Sequence, residues 1–237
     1  MSEEIKPIGG RIMTKPFMVL MGMALFAGML LLIRFVFGLA SITNLSDGYP
    51  WGIWIAYDVV AGTAIACGGY AMALLVYVMN KGEYHALVRP ALLASMFGYT
   101  LAGLSIFVDV GRYWQAYNLF LPKYANPNSI LFEVAFCVTT YIFVLWIEFI
   151  PAFLEGLNKH KEGLPKFVQK WNAQGLERIW NKVLFFFIAV GVLLPTMHQS
   201  SLGTMMIIAG DKLSPLWQTN FLPLLFLISA ITMGYSI

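Results

Sequence analysis

The sequence predicts an all-α, polytopic membrane protein, a bundle of at least six transmembrane helices with its N-terminus in the cytoplasm. Two observations support this class. Hydrophobic residues make up 59% of the 237 residues and charged residues only 11%, against about 25% in a typical soluble domain. The apolar residues also form six long runs. A chain so poor in charge lacks the polar surface of a soluble domain, which excludes a disordered chain, a nucleic-acid-binding protein and most soluble enzymes.

The apolar runs define the elements in order. The first follows a polar N-terminal stretch and is too long for the apolar region of a cleavable signal peptide. Each complete run reaches the roughly 20 residues that a helix needs to cross ~30 Å of hydrocarbon. The last run stops at Ile237, and we expect the natural sequence to continue beyond it. We therefore predict one membrane domain over 1–237, with helices at about 17–38, 51–79, 88–108, 130–154, 183–209 and 221–237.

The basic residues set the orientation, because Lys and Arg accumulate on the cytoplasmic side of membrane proteins. An inward N-terminus places eleven cations on the cytoplasmic side, and the opposite side receives four: Arg34, Arg112, Lys123 and Lys212. The polar segment 155–182 is then cytoplasmic. It is either a short interfacial helix, carrying Trp171, Leu176 and Trp180, or a solvated loop.

Cysteine and histidine are too few for a protein-held metal centre. Cys67 and Cys137 are the two cysteines, they form no C-x-x-C motif, and they leave no ligand set for an iron–sulfur cluster or structural zinc. Of the three histidines only His198 lies inside an apolar run, whereas a b-type haem in a helix bundle needs two such imidazoles. We expect no haem, no iron–sulfur cluster and no other metal in this chain.

Ionisable residues inside the apolar runs are the candidate functional groups, because such residues are costly in lipid and usually face a bundle interior. Small or polar residues at helical spacing predict which face of each helix points inward. The four predicted inward stripes are Asp58, Gly62, Ala66, Gly69 and Ala73; Ser95, Gly98, Ala102, Ser105 and Asp109; Glu133, Cys137, Thr140 and Glu148; and Gly191, Pro195 and His198.

Depth along each helix brings several of these groups to the outer half of the membrane. At 1.5 Å per residue, Asp58 lies roughly 12 Å, Glu133 about 7 Å and His198 about 16 Å from the outer end of its helix. Asp109 and Arg112 lie at the outer mouth, where we expect an ion pair, and Glu148 lies toward the inner side. The cluster predicts either proton chemistry in a pocket or polar pairs that only hold helices together.

Four segments carry a resemblance to a known family. The sequence resembles the NrfD, or polysulfide-reductase-type, membrane subunits, and within them most the HybB-type subunits of periplasm-facing [NiFe]-hydrogenases, from about Lys6 to the last residue. The matching segments are GYPWGIWIAYD (48–58), HALVRPALLASMFGYTLAGLSIFVDVGRYW (85–114), NPNSILFE (126–133) and LPTMHQSSLG (194–203).

The resemblance implies a haem-free, quinone-reacting anchor in the bacterial inner membrane. Its partners would be a periplasmic ferredoxin-like iron–sulfur subunit and the large and small subunits of a [NiFe]-hydrogenase, and further helices would follow the sixth. The resemblance alone separates hydrogenase, polysulfide-reductase and nitrite-reductase partners poorly, and the HybB likeness favours hydrogenase.

Our hypothesis for the site is reduction of menaquinone or ubiquinone beside the outer cluster. Tyr99 and His198 would hydrogen-bond the quinone carbonyls, and Asp58 and Glu133 would relay protons. The remaining candidates are Trp51 and Tyr113 for packing on the ring, Glu148 and Arg89 for a path toward the cytoplasm, and Asp109 and Arg112 at the outer mouth.

Two other functional classes remain open from the sequence. Acids at membrane depth and proline-interrupted helices also occur in transporters and proton channels without a redox role. A purely structural anchor is the third class. Copurification with an iron–sulfur subunit and a hydrogenase would separate the redox anchor from a transporter that works alone.

Overall fold

The computed structural model describes residues 13–45, 62–63, 66–159, 173–208, 210 and 214–237; the side chains of 157–159, 173–182 and 217 fall outside this description. All regular secondary structure in these ranges is helical, which confirms the predicted all-α class. Trp51 and Asp58, two of the predicted site residues, lie outside the described residues.

Six principal helices account for most of the described chain. Four helical stretches in the described ranges are long and apolar enough to cross a membrane: Lys15–Phe37, Gly82–Asp109, Ile130–Gly156 and Val183–Ile208. The full helices are α1 (Lys15–Phe37), α2 (Ala66–Val78, with a π-helical last turn at Leu74–Val78), α3 (His85–Asp109), α4 (Ile130–Lys159), α5 (Ala173–Ile208) and α6 (Leu222–Ser236).

Helix α1 belongs to the first of two compact units, Met1–Gly52, and α2 to α6 belong to the second, Ile53–Ile237. In α1 the hydroxyl of Thr14 accepts a hydrogen bond from the Phe17 amide, at 3.4 Å, and caps the N-terminus. The helix ends at Phe37 and is capped by Gly38, whose positive φ of 91° favours glycine.

In the second unit α4 packs against α3 and α5, and α5 packs against α6. Helices α2 to α5 supply one apolar core between them. The side chains that share it are Ala66, Met96, Tyr99, Cys137, Val138, Tyr141, Val144, Leu145 and Leu194. Large apolar side chains on the opposite helix faces, such as Leu101 and Phe143, are exposed, as lipid-facing residues are in a multi-pass membrane protein.

The predicted small-residue stripes of α2 and α3 pack directly against each other. A Cβ atom placed on Gly98 would lie 2.9 Å from the Cβ of Ala66 and 3.0 Å from the carbonyl oxygen of Gly62. The buried Ser95 hydroxyl also donates to the Ala66 carbonyl and accepts from the Gly69 amide, at 2.6 Å. Glycine and serine therefore let the two backbones approach closely, as helix packing in lipid requires.

Helix α6 also packs against its neighbours through close backbone contacts at glycines. A Cβ on Gly203 of α5 would lie 2.5 Å from the backbone of Pro223, and a Cβ on Gly234 would lie 2.5 Å from the carbonyl oxygen of Cys67. Glycine at these two positions thus lets α6 contact both α5 and α2.

Several helix boundaries differ from the predicted apolar runs. Helix α5 begins at Ala173 rather than near 183, and α4 continues to Lys159, because hydrophobicity marks the membrane span whereas helix-forming polar residues extend the helix past it. Helix α3 begins at His85 rather than near 88, so Pro90 lies inside the helix.

Substituting Gly98, a glycine of the α2–α3 contact, tests the packing. Gly98→Ala should lower the thermal unfolding midpoint of the full-length subunit by several degrees, because the added methyl overpacks the contact at a typical cost of about 1–3 kcal/mol. Gly156→Ala is the matched control, since a Cβ there meets no atom within 4 Å. Equal midpoints for the two variants would contradict the close approach.

Candidate functional site

The centre of the candidate site is a hydrogen bond between Tyr99 of α3 and His198 of α5, two fully buried side chains. The Tyr99 Oη lies 2.9 Å from Nε2 of His198, and Nδ1 of the same ring lies 3.0 Å from the carbonyl oxygen of Leu194. A carbonyl only accepts, so Nδ1 donates to Leu194. In the neutral ring Nε2 is then the acceptor, and Tyr99 donates to it.

Two further residues, Tyr141 and Gln199, contact this pair. Neither was among the residues predicted from the sequence. The Tyr141 ring stands edge-on to Tyr99 with 4.8 Å between ring centroids, and the Gln199 amide nitrogen lies 3.3 Å from Nε2 of His198 and 3.8 Å from the Cys67 sulfur. Tyr141 follows Cys137 by four residues, so the α4 stripe could have identified it. Gln199 had no such signal, because a neighbouring polar residue on a helix usually points elsewhere.

Glu133 contacts the same region of α5 from the first turn of α4. The Ser201 Oγ lies 2.7 Å from Glu133 Oε1 and 2.9 Å from the Met197 carbonyl oxygen. A hydroxyl has one proton, so Ser201 donates to one of these acceptors at a time. Ser129 positions the acid, because its side chain caps α4 by accepting from the Phe132 amide at 3.4 Å. The structure therefore brings Glu133 within one helical turn of His198.

Glu148 lies apart from this cluster, on a cleft between α2, α3, α4 and α5. One carboxylate oxygen lies against Gly191, where an added Cβ would come within 2.6 Å of it. The cleft has a volume of about 190 Å³ and is lined by Gly69, Tyr77, His85, Arg89, Tyr141 and Glu148, among others. Arg89 forms its ion pair with Glu155, at 2.6 Å, where both side chains are exposed, and not with Glu148.

The outer-mouth residues are arranged differently from the prediction. Asp109 and Arg112 form no ion pair with each other, because α3 ends at Asp109 and Arg112 lies beyond it in a turn, exposed. The one-turn spacing that predicted the pair holds only within a continuous helix. Tyr113 begins a 3₁₀ helix (Tyr113–Phe120) and packs its ring against Phe107 and Trp114, at centroid distances of 5.9 and 5.2 Å.

The described residues do not provide a site for a metal or a bis-imidazole haem. They contain no group of three or more His, Cys, Asp or Glu side chains placed to hold a metal ion. Both ring nitrogens of His198 are engaged in the contacts above, and His85 is exposed at the start of α3. The donor atoms in the described part of the chain thus do not fit axial haem ligation.

Fold and site together define a multi-pass membrane protein that holds a buried acid–base cluster within its helix bundle. Residues 41–237 match the family described as "Polysulphide reductase, NrfD". The chain belongs to this family, which confirms the resemblance seen in the sequence.

Three relatives show the range of complexes in the family. The chain is 51% identical over 238 residues to the "Probable Ni/Fe-hydrogenase 2 b-type cytochrome subunit" of Escherichia coli, covering all of this chain and 57% of the relative. It is 31% identical to the "Menaquinone reductase, integral membrane subunit" of Nitratidesulfovibrio vulgaris, over 69% of this chain and 36% of that protein. It is 24% identical to a selenate reductase subunit of Mesobacillus selenatarsenatis, over 92% of this chain and 53% of that protein.

These comparisons concern the length of the relatives and the expected absence of haem. The chain spans 57%, 36% and 53% of the three relatives' lengths, so each relative is considerably longer than this sequence. The name of the E. coli relative describes a b-type cytochrome subunit, which is at odds with the expectation of a haem-free chain. The absence of haem therefore stays a prediction.

Removing the Tyr99 hydroxyl tests the central hydrogen bond. Tyr99→Phe should lower the free energy of unfolding in detergent by about 1–3 kcal/mol, because it withdraws the hydroxyl donor from a buried imidazole nitrogen. Tyr117→Phe is the control, since Tyr117 is 62% exposed. If SDS titration of the full-length subunit gave both variants the same unfolding free energy, the bond would contribute nothing to stability.

Proposed function

We propose that this chain forms part of a membrane anchor that exchanges electrons between a periplasm-facing hydrogenase and the membrane quinone pool. The observation that carries the proposal is the acid–base cluster of Tyr99, His198, Ser201 and Glu133 inside the bundle, in the half of the membrane predicted to face the periplasm. Reduction of a quinone takes up two protons with two electrons, so a quinone site needs buried groups of this kind. The names of the hydrogenase and menaquinone reductase relatives support the same reaction class.

Glu133 is our candidate for proton delivery. Glu133 is partly exposed, unlike the buried Tyr99 and His198. Its contact with Ser201 links it to the α5 turn that carries His198. A carboxyl held by one exchangeable hydroxyl contact can take up and release a proton as a positioned general acid does. Asp58 is the second proposed proton carrier, and Trp51 the proposed ring contact.

The Tyr99–His198 pair has a modified role in this proposal. Both side chains are fully buried, and the Tyr99 hydroxyl is bonded to Nε2 of His198. A direct hydrogen bond from Tyr99 to a quinone carbonyl requires this bond to open, and one from His198 requires its Nδ1 proton to leave the Leu194 carbonyl. We therefore propose that the pair acts behind the quinone, as a hydroxyl–imidazole relay, while Glu133 acts beside it.

An inward proton path is the second part of the proposal. Glu148 lines the inner cleft, and Tyr141 lies between that cleft and the Tyr99–His198 pair. Protons taken from the cytoplasmic side would pass through Glu148, with Arg89 at the exposed end. Asp109 and Arg112 would serve the outer mouth.

The proposed partners are a periplasmic ferredoxin-like iron–sulfur subunit and the large and small subunits of a [NiFe]-hydrogenase, in the bacterial inner membrane. The proposed electron acceptor is menaquinone or ubiquinone. Purification of the full-length subunit from native membranes should bring down these partners. A transporter of the same fold would instead move its solute or protons without them.

Neutralising Glu133 tests the proton role. Glu133→Gln should lower quinone-linked hydrogen turnover in membranes by at least tenfold, within the range that general acid–base groups contribute. Dye-linked hydrogenase activity, which bypasses the membrane site, should be unchanged. Glu83→Gln is the control, because Glu83 is an exposed acid in the short 3₁₀ helix before α3. Normal quinone-linked turnover in the Glu133→Gln variant would refute the proposal.

A further inference from the structure

A row of exposed aromatic side chains lies in the connection between α3 and α4, on the side of the bundle predicted to face the periplasm. The connection contains the 3₁₀ helix Tyr113–Phe120. Side chains three positions apart eclipse each other in a 3₁₀ helix, so Trp114, Tyr117 and Phe120 form one row along it. Their exposed fractions are 59%, 62% and 53%. A contiguous exposed apolar patch of this kind marks a contact with a membrane or with another protein.

The other two rows of the same 3₁₀ helix have different surroundings. Tyr113 and Leu119, six positions apart and therefore also on one row, are partly buried, and the centroid of the Tyr113 ring lies 5.9 Å from that of Phe107 in α3. Gln115, on the third row, is polar and exposed. The helix thus has one row toward the bundle, one polar row and one aromatic row, which is the amphipathic arrangement of a segment that lies at a membrane surface.

The position of the aromatic row relative to α4 favours lipid over a protein partner. The centroid of the Phe120 ring lies 6.3 Å from that of Phe136. Phe136 is six residues, or roughly 9 Å, inside the outer end of α4 at 1.5 Å per residue. Phe136 is itself exposed, as is Phe143, two helical turns further along the same face. Phe120 therefore continues the lipid-facing side of α4 instead of covering the outer end of the bundle.

The charges of the connection are complementary to phospholipid headgroups. Between Asp109 and Glu133 the chain has two charged residues, and both are exposed cations, Arg112 and Lys123. One precedes the aromatic row in the sequence and the other follows it. Trp, Tyr, Lys and Arg are the residues that anchor a segment in the headgroup region, because their apolar parts enter the lipid while their polar ends stay near the phosphates.

We propose that the connection 112–124 lies in the headgroup region of the outer leaflet, with Trp114, Tyr117 and Phe120 in the lipid and with phospholipid phosphates held at Arg112 and Lys123. The segment then fixes the depth of the outer ends of α3 and α4 in the membrane. This inference goes beyond the proposed function, because it requires neither a quinone nor a proton transfer.

Spin labels on two rows of the 3₁₀ helix test this placement. Tyr117→Cys and Gln115→Cys would each be introduced into the full-length subunit, and its complex would be labelled with a nitroxide in vesicles of phosphatidylethanolamine and phosphatidylglycerol. Oxygen concentrates in lipid and a nickel chelate stays in water, so power-saturation EPR reports which phase surrounds each label. We expect oxygen to relax the label at 117 more than the chelate does, and the label at 115 to show the reverse. The unsubstituted complex, taken through the same labelling, gives the background from native cysteines.

Neutralising the two cations tests the phosphate contacts. In the same vesicles, a phosphatidylglycerol with a photoreactive azide on its headgroup should label residues in 112–124. Arg112→Gln combined with Lys123→Gln should reduce this labelling at least about fivefold, since a single cation near an anionic membrane surface contributes about that gain in affinity. Lys81→Gln is the control, because it removes an exposed cation that precedes α3, at the opposite end of that helix.

Three results would overturn the inference. Equal relaxation of both spin labels by the nickel chelate would place the aromatic row in water. Shielding of the label at 117 from both oxygen and the chelate would mean that a partner subunit covers the row instead of lipid. Unchanged lipid labelling in the Arg112→Gln, Lys123→Gln double variant would remove the phosphate contacts. None of these results decides the Glu133 experiment, which measures quinone-linked turnover, so the two proposals fail separately.

Discussion

The close contact between α2 and α3 is the constraint on which the rest of the second unit depends. In lipid, helices gain little from the hydrophobic effect and associate through tight packing and hydrogen bonds. The tight packing comes from three glycines, Gly62, Gly69 and Gly98. The hydrogen bonds come from Ser95, whose hydroxyl bonds to the α2 backbone. Because Tyr99 follows Gly98 directly, the contact that fixes α3 also fixes the tyrosine that reaches His198. Structural and chemical roles therefore occupy adjacent residues of one helix.

Much of the fold could be predicted from the sequence because a membrane simplifies the rules. Apolar length predicts spanning helices, and stripes of small residues predict inward faces; both rules follow from the absence of water around the helices. The helix ends were predicted less well, as at Ala173 and Lys159, because they depend on backbone hydrogen bonding outside the apolar region. The prediction of an Asp109–Arg112 pair was wrong because it assumed that α3 continues past Asp109. Residues one helical turn apart in sequence lie close together only where the helix continues, and α3 ends at Asp109.

The site was predictable as a set of residues and not as a set of contacts. Helical spacing predicted that His198 and Glu133 lie on inward faces in the outer half of the membrane. In the structure Glu133 contacts Ser201, which lies on the same stretch of α5 as His198. Spacing could not show that Tyr99 and His198 are bonded to each other, since that depends on the rotation of two helices far apart in the sequence. It also could not show that Glu148 opens on a separate cleft, with Tyr141 between the two groups.

The π-helical turn at the end of α2 has a consequence for how this fold can change. A π turn accommodates one more residue than the α-helical turn it replaces, and such turns are frequent at functional sites. Leu74–Val78 forms this turn, and Tyr77 within it lines the cleft together with Gly69 and Ala73. Deleting a single residue from 74–76 would restore the tighter α-helical turn and change the direction in which the Tyr77 ring leaves the helix. The orientation of this tyrosine is therefore encoded by the number of residues in the chain as much as by their identity.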